Sequence, residues 1–149
     1  MSTIGLTSKE RLPFRIGPIA ILSVGLLAFI ASLLWYSPIL FGGIWMEYRN
    51  PSANSSPLWM LVAPLREVIV SYLLAKLFRE LRILEWKNAI LLSFQLWLAF
   101  HAVGMAGAVI WDNMNWKLAG VHAGDWLMKM ILMSVLLCYW NRRINEVSA

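Results

Sequence analysis

The sequence contains an uncharged run of 31 residues, from Ile16 to Met46. A helix that crosses the hydrocarbon core of a bilayer needs about 20 apolar residues, so this run holds one span and a further short segment. We predict a transmembrane helix over 17–36, which Pro38 ends, and an interfacial segment over 39–45. A cleaved signal peptide is disfavoured because the apolar stretch exceeds the usual length of about 7–15 residues.

The composition of the whole chain supports this interpretation. Hydrophobic residues make up 60% of the 149 residues and charged residues only 14%, and the mean hydropathy is +0.64. A soluble domain has about 25% charged residues, and a chain this short cannot bury so many apolar side chains in its own core. The composition therefore argues against a soluble enzyme, a disordered chain and a collagen-like chain.

Three further segments have the length of a membrane span, and we predict transmembrane helices over 58–78, 88–111 and 118–140. The predicted fold is all-α, an integral membrane bundle of four transmembrane helices in a single domain over 1–149. The middle of these three segments is uncharged, whereas the other two carry a few charges. Those two could instead be amphipathic helices on the membrane surface. Their charges, however, are too few to form a continuous polar face.

The basic residues predict the orientation of the bundle. Eight lysine and arginine residues lie in the N-terminal segment, the connection over 79–87 and the C-terminal segment, against two in the other connections. Connections rich in lysine and arginine remain in the cytoplasm, so we predict cytoplasmic tails over 1–15 and 141–149. This role accounts for the net charge of +5 without a nucleic-acid partner, and the lipid bilayer is the expected partner.

A motif marks the end of the first predicted helix. The stretch Leu34–Gly42, followed by Trp45 and Met46, resembles the signature of a family of small bacterial membrane proteins known only as domain of unknown function 1761. Phe94–Phe100 is similar to the third helix of that family, and the likeness covers roughly 17–140. The resemblance implies a four-helix fold in the bacterial inner membrane, but no activity. The motif residues are Trp35, Tyr36, Ser37, Pro38, Phe41, Gly42 and Trp45.

Polar residues inside the predicted spans are the candidate functional residues. An ionisable group at such depth costs about 2.5–3.5 kcal/mol, so it usually faces a bundle interior or a cavity. The depth of each residue follows from its distance to the predicted outer end of its helix, at about 1.5 Å per residue. Arg66, Glu67, His101 and Asp125 lie roughly 10–15 Å deep, in one layer. The candidates for ligand binding or ion pairing are Arg66, Glu67, His101, Asp125, Lys129 and His122.

Depth and helical spacing favour two ion pairs across a helix contact, Arg66 with Asp125 and Glu67 with Lys129. Two interpretations of this charged layer remain open. A neutralised cluster would fix the register of the helices, because polar groups stabilise helix contacts in membranes. Alternatively, the layer lines a pocket on the outer side for a polar or ionic ligand, or forms part of a proton path.

We predict no cofactor, no metal site and no enzymatic activity. His101 and His122 suggest a haem with two histidine ligands, but their depths differ by about 9 Å along the helices. Axial ligands must face each other at similar depth, so we expect each histidine to be a hydrogen-bonded core residue. The single cysteine, Cys138, excludes an internal disulfide and a zinc site built on cysteine pairs. No catalytic motif is present.

Small residues four positions apart predict close helix packing, either inside the bundle or between copies in a homo-oligomer. They are Gly120 with Gly124 and Gly104 with Ala108. Two functions therefore remain open from the sequence. The chain binds or transports a small polar or ionic ligand at the charged layer, or it is a non-catalytic accessory subunit of a larger membrane complex.

Overall fold

The computed structural model describes residues 14, 16–51 and 57–147, without the side chains of residues 57, 59–61 and 147. The described residues form five helices and no strand, which confirms the all-α prediction. The predicted N-terminal tail over 1–15 lies outside the described residues except for Phe14. The helices are α1 (Pro18–Trp35), α2 (Gly42–Tyr48), α3 (Pro57–Glu80), α4 (Trp86–Trp111) and α5 (Trp116–Val147).

Three of the described helices, α1, α4 and α5, are long and apolar enough to cross a membrane. α3 has the necessary length, 24 residues, but it carries five charged residues. Its apolar character is correspondingly lower, because charges are the costliest residues in a span. The structure therefore supports a small membrane protein with three membrane-compatible helices, and a fourth span over α3 stays a prediction.

The motif after α1 forms a tight turn. α1 begins with Pro18 at its first position, where a missing N–H costs nothing, and ends one residue before the predicted boundary. The chain then turns over 36–41, and the amide of Gly42 donates to the Ser37 carbonyl at 2.9 Å. A Cβ at Gly42 would lie 2.5 Å from the Tyr36 carbonyl oxygen, so only glycine fits there. The predicted segment over 39–45 is thus a turn followed by a short helix.

α5 is the central helix, because it packs against each of the other four. α1 lies between α3 and α5, and it runs antiparallel to α3 along its length. Three contacts mark this alignment: the rings of Phe14 and Phe78, the Ser71 hydroxyl donating to the Ile21 carbonyl, and Gly25 against Val68. A Cβ at Gly25 would lie 2.7 Å from the Val68 Cα, so the two backbones are in close contact there.

The helices extend beyond the predicted spans. α5 continues to Val147, so 141–147, which is predicted as part of a tail, is helical. Side-chain contacts four residues apart stabilise this exposed end, among them Arg142 with Glu146 at 2.9 Å. A prediction based on apolar residues ends where the charged residues begin, although charged residues are good helix formers.

An apolar core fills the half of the bundle where α1 begins and α5 ends. We call this the apolar half, and its fully buried side chains include Phe78, Met133 and Leu137. A pair of hydroxyls bridges α4 and α5 within it, with Ser93 Oγ 2.6 Å from Ser134 Oγ. The other half, where α1 ends and α5 begins, holds buried charges instead.

Candidate functional site

Four side chains from α3 and α5 form a continuous chain of alternating charge, which we call the charged cluster. Glu67 Oε1 lies 2.7 Å from Arg66 Nη2 and 2.8 Å from Lys129 Nζ. Lys129 Nζ also lies 2.8 Å from Asp125 Oδ2. Glu67 and Lys129 are fully buried, and Asp125 is 2% exposed. The formal charges cancel, so the cluster can lie inside an apolar bundle.

The predicted pair between Glu67 and Lys129 is present, whereas the predicted pair between Arg66 and Asp125 is wrong. The long Arg66 side chain folds back onto its neighbour Glu67. Asp125 pairs with Lys129 and also accepts a hydrogen bond from Ser32 Oγ of α1 at 2.7 Å. The prediction considered only ionisable partners and therefore missed this hydroxyl. Arg66 also does not point fully inward, because its side chain is 54% exposed.

The end of α1 is fixed to the first turns of α5 by aromatic side chains. Trp35 Nε1 donates to the Val121 carbonyl at 3.1 Å, and the Tyr36 hydroxyl lies 2.7 Å from His122 Nδ1. The phenol can donate to this ring nitrogen or accept from it, according to the tautomer of the imidazole. The first two motif residues thus position α1 against the histidine of α5.

α4 changes its geometry next to the charged cluster. Residues Trp97–Ala102 form a π-helical stretch that includes His101. The indole of Trp97 donates from this stretch to the Ala123 carbonyl at 2.9 Å, and the His101 ring lies 5.2 Å from the Trp126 ring. His101 Nε2 is enclosed and has no hydrogen-bond partner among the described residues. π-helical turns often occur at functional sites.

A cavity of about 360 Å³ lies between these elements. This volume is within the range of sites for small molecules, about 300–1,000 Å³. The Trp126 ring forms one wall, with the Arg66 guanidinium 5.3 Å from its centre. Most of the lining side chains are polar: Tyr36, Arg66, His101, Met105, His122, Asp125 and Trp126. We call this space the polar cavity.

The polar cavity brings together four of the six predicted candidates, namely Arg66, His101, His122 and Asp125. The other two candidates, Glu67 and Lys129, do not line it, but they bond to residues that do. The two histidines line the same cavity although their predicted depths differ. Two side chains can therefore line one cavity although their positions along their helices differ. Equal depth is too strict a criterion for predicting which residues share a site.

Several residues that complete the site are not predicted from the sequence. Ser32 and Met105 carry no signal that distinguishes them from other residues of an apolar helix. Tyr36 is predicted only as part of the motif, and its place in the cavity wall is not predicted. Trp126 follows Asp125 directly in the sequence. An aromatic residue next to a buried charge is the one sequence feature that indicates Trp126 as part of the site. No group of three or more metal-ligating residues converges among the described residues.

The predicted small-residue contacts have different outcomes. Gly124 packs under the Trp35 indole, where a Cβ would lie 2.6 Å from Cζ2. Gly104 and Gly120 have no described atom of another helix within 4 Å of their Cβ positions. The close approach of two helix backbones occurs instead at Gly25, which the four-residue pattern does not identify. Spacing alone does not show which small residue faces another helix.

Two further cavities lie in the apolar half. One, of about 410 Å³, is lined by residues of α1, α3 and α5, including Tyr72 and Lys76. The other, of about 620 Å³, lies where α4 begins and includes Trp86 and Cys138. Neither contains a residue of the charged cluster, so we take the polar cavity as the candidate functional site.

The fold and the site define a small all-helical protein with three membrane-compatible helices around a buried charged cluster. The chain belongs to the family described as "Protein of unknown function (DUF1761)", whose model matches residues 19–138. The predicted family is therefore confirmed, and the matched region includes every residue that lines the polar cavity. No curated protein and no solved structure matches the chain significantly.

Proposed function

We propose that the chain is a multi-pass membrane protein that binds or transports a small polar or ionic ligand at the polar cavity. The observation that carries this proposal is the cavity itself, with five polar side chains in its wall. A cluster that only fixes helix register needs no adjacent space. Here, in contrast, Arg66 is half-exposed and keeps N–H groups without a partner among the described residues, so groups remain that a ligand can satisfy.

The proposal places four helices across the membrane, including α3. α3 packs antiparallel against α1, as the contacts of Ser71 with Ile21 and of Val68 with Gly25 indicate, and Phe78 extends this alignment to Phe14, just before α1. If α1 crosses the bilayer, its antiparallel neighbour crosses too. The charge of Glu67 is compensated by Arg66 and Lys129, which lowers the cost of placing α3 in lipid.

The proposed orientation has both termini in the cytoplasm of a bacterial cell, with the protein in the inner membrane. The excess of lysine and arginine at the ends of the chain and in the α3–α4 connection supports it. The polar cavity then lies in the outer half of the bundle. Labelling of single cysteines from outside the cell tests this: a cysteine at Leu84 should stay unlabelled and one at Asn113 should react. The reverse pattern would contradict the orientation.

Binding is tested by filling the polar cavity. Met105→Trp places a larger side chain in its wall, and Val103→Trp adds the same bulk at a position that is 63% exposed. Three probes with the same ring, benzoate, benzamide and benzylammonium, are offered to the purified protein in dodecyl maltoside. Binding is followed by saturation-transfer NMR. At least one probe should bind wild type and Val103→Trp but not Met105→Trp. The proposal would be overturned if a probe bound both variants equally, or if no probe bound wild type.

A role as an accessory subunit or a homo-oligomer is the second proposal, and one face of α4 favours it. Phe100, Ile110 and Trp111 are 76%, 66% and 77% exposed on this helix, and the space at Gly104 is open. Such a face can bind lipid or another transmembrane helix. Mass spectrometry of the complex released from native membranes tests it, because a partner or a second copy would add to the 17.0 kDa of the chain.

A further inference from the structure

We infer that the ligand of the polar cavity carries an oxyanion, a carboxylate or a phosphate group, and that Arg66 binds it. This inference rests on the proposed binding function. Two features of the charged cluster support an oxyanion: which charged side chain of the cluster a ligand can reach, and which atoms of that side chain are free to bind it.

Arg66 is the accessible charge of the cluster. Its side chain is 54% exposed, whereas those of Glu67 and Lys129 are fully buried. Asp125 lines the cavity, but it is only 2% exposed, and its two oxygens already accept from the Ser32 hydroxyl and the Lys129 ammonium. Glu67 Oε2 has no partner among the described residues, but it is enclosed and Glu67 does not line the cavity. A cationic ligand therefore finds only buried carboxylates, while an anionic ligand finds a half-exposed guanidinium.

The guanidinium keeps part of its hydrogen-bonding capacity. Its Nε and Nη2 both donate to one oxygen, Glu67 Oε1, at 3.2 and 2.7 Å. Arginine has five N–H donors in a planar fork, and Nη1 has no partner among the described residues. The remaining N–H groups of Nη1 and Nη2 point away from Glu67 and match the two oxygens of a carboxylate or phosphate.

Arg66 also shares its acceptor with another cation. Glu67 Oε1 accepts from Arg66 and from the fully buried Lys129, so the cluster is neutral as a whole but Arg66 has no carboxylate oxygen of its own among the described residues. A half-exposed guanidinium next to apolar helix surface is costly unless a further anion or water satisfies it. An oxyanion in the cavity would supply that partner. It would lie against the Trp126 ring, over which Arg66 already lies.

The three benzene probes test this inference, because they share a ring and differ in charge. In dodecyl maltoside, benzoate should bind wild type at least tenfold more tightly than benzamide, and benzylammonium should be the weakest. Arg66→Gln should reduce the ratio of benzoate to benzamide affinity to about one, and Arg66→Lys should retain part of it. Arg49→Gln is the matched control, since Arg49 also lies over an indole, that of Trp45, but outside the cavity.

The outcomes separate this inference from the proposed function. If benzamide or benzylammonium binds as tightly as benzoate, and Met105→Trp abolishes that binding, the cavity binds ligands but the preference for an oxyanion is wrong. The preference is equally wrong if Arg66→Gln leaves the affinity ratio unchanged. If Met105→Trp blocks no probe, the proposed function itself fails.

Competition identifies the source of the oxyanion. Dissolved inorganic phosphate should displace benzoate if the cavity accepts a soluble anion. Dodecylphosphocholine added to the micelles should displace it if the occupant is the phosphate of a lipid headgroup. Displacement by either supports an oxyanion site and assigns its source, whereas displacement by neither restricts the site to carboxylates.

Discussion

The two halves of the bundle bury side chains equally well but by different physical means. In the apolar half, Phe78 and Leu137 are fully buried among other apolar groups. In the other half, Glu67 and Lys129 are just as inaccessible, and each depends on a charged partner. An apolar contact is non-directional and is lost in proportion to the atoms removed. A buried ion pair fails as a unit, because removal of one partner leaves the other charged and unsolvated.

The largest effect is therefore expected from removing the central cation of the charged cluster. Lys129→Met should lower the free energy of unfolding by about 4 kcal/mol, because Glu67 and Asp125 lose the ammonium they share. The measurement is reversible unfolding in mixed micelles of dodecyl maltoside and SDS.

The matched control for this change is Lys76→Met, since Lys76 is half-exposed and lies 3.9 Å from Glu80. The double variant Asp125→Asn, Lys129→Met should recover most of the stability, because it leaves Glu67 paired with Arg66 and no charge of the cluster without a partner. Equal effects of the two single lysine variants, or a double variant as unstable as Lys129→Met, would contradict the comparison.

A smaller loss, about 3 kcal/mol, is expected from Leu137→Ala in the apolar half. Leu137 is fully buried, so the change leaves a cavity and removes packing contacts. The exposed Leu73 gives the control variant Leu73→Ala, which should change little. Unlike the charged cluster, this half should show no rescue by a second change. Adding Met133→Ala should destabilise further, and any recovery of stability would be evidence against non-directional packing there.

Ser32→Ala should cost about 2 kcal/mol, since its hydroxyl donates to the Asp125 carboxylate at 2.7 Å. Hydrogen bonds to charged groups contribute about 1.5–3 kcal/mol, and Asp125 Oδ1 would lose its donor. The same unfolding assay measures the loss. In the background Asp125→Asn, the effect of Ser32→Ala should fall to less than half, and an undiminished effect would show that the hydroxyl acts elsewhere.

The smallest effect is expected from the same substitution in the apolar half. Ser93→Ala should cost about 1 kcal/mol, because its partner Ser134 is neutral and also donates to the Met130 backbone carbonyl at 2.6 Å. Ser32→Ala and Ser93→Ala thus make a matched pair, and the unfolding assay compares them directly. If the Ser93 variant were the less stable of the two, the charge of the acceptor would not decide the difference.

Much of the fold can be predicted because a long apolar run in the sequence indicates a helix that is compatible with a membrane span. The predicted boundaries of α1 lie within one residue of the observed ones at each end, since Pro18 and the motif mark them. The extension of α5 to Val147 cannot be predicted by the same signal, because the residues that continue the helix are polar. α3 shows the opposite limit, since its charges obscure whether it spans.

The candidate site is predictable only in part, for reasons that lie in side-chain geometry. The pair of Glu67 with Lys129 follows from depth and charge. The bend of Arg66 onto its neighbour depends on rotamers, and the contact between Tyr36 and His122 depends on a turn that follows a helix. Neither leaves a periodic pattern in the sequence. The π-helical stretch likewise has no sequence signature that we could use.

That stretch sets the angular relation between the two ends of α4. In a regular helix Ser93 and His101, eight residues apart, would be separated by about 80° around the axis. A π-helical turn takes up one extra residue, which reduces the separation to about 20°. The hydroxyl that pairs with α5 and the histidine that lines the polar cavity therefore share one face. Consider a relative that lacked one residue at this turn and had a regular α4 throughout. Its serine and histidine would still lie on one face of the helix.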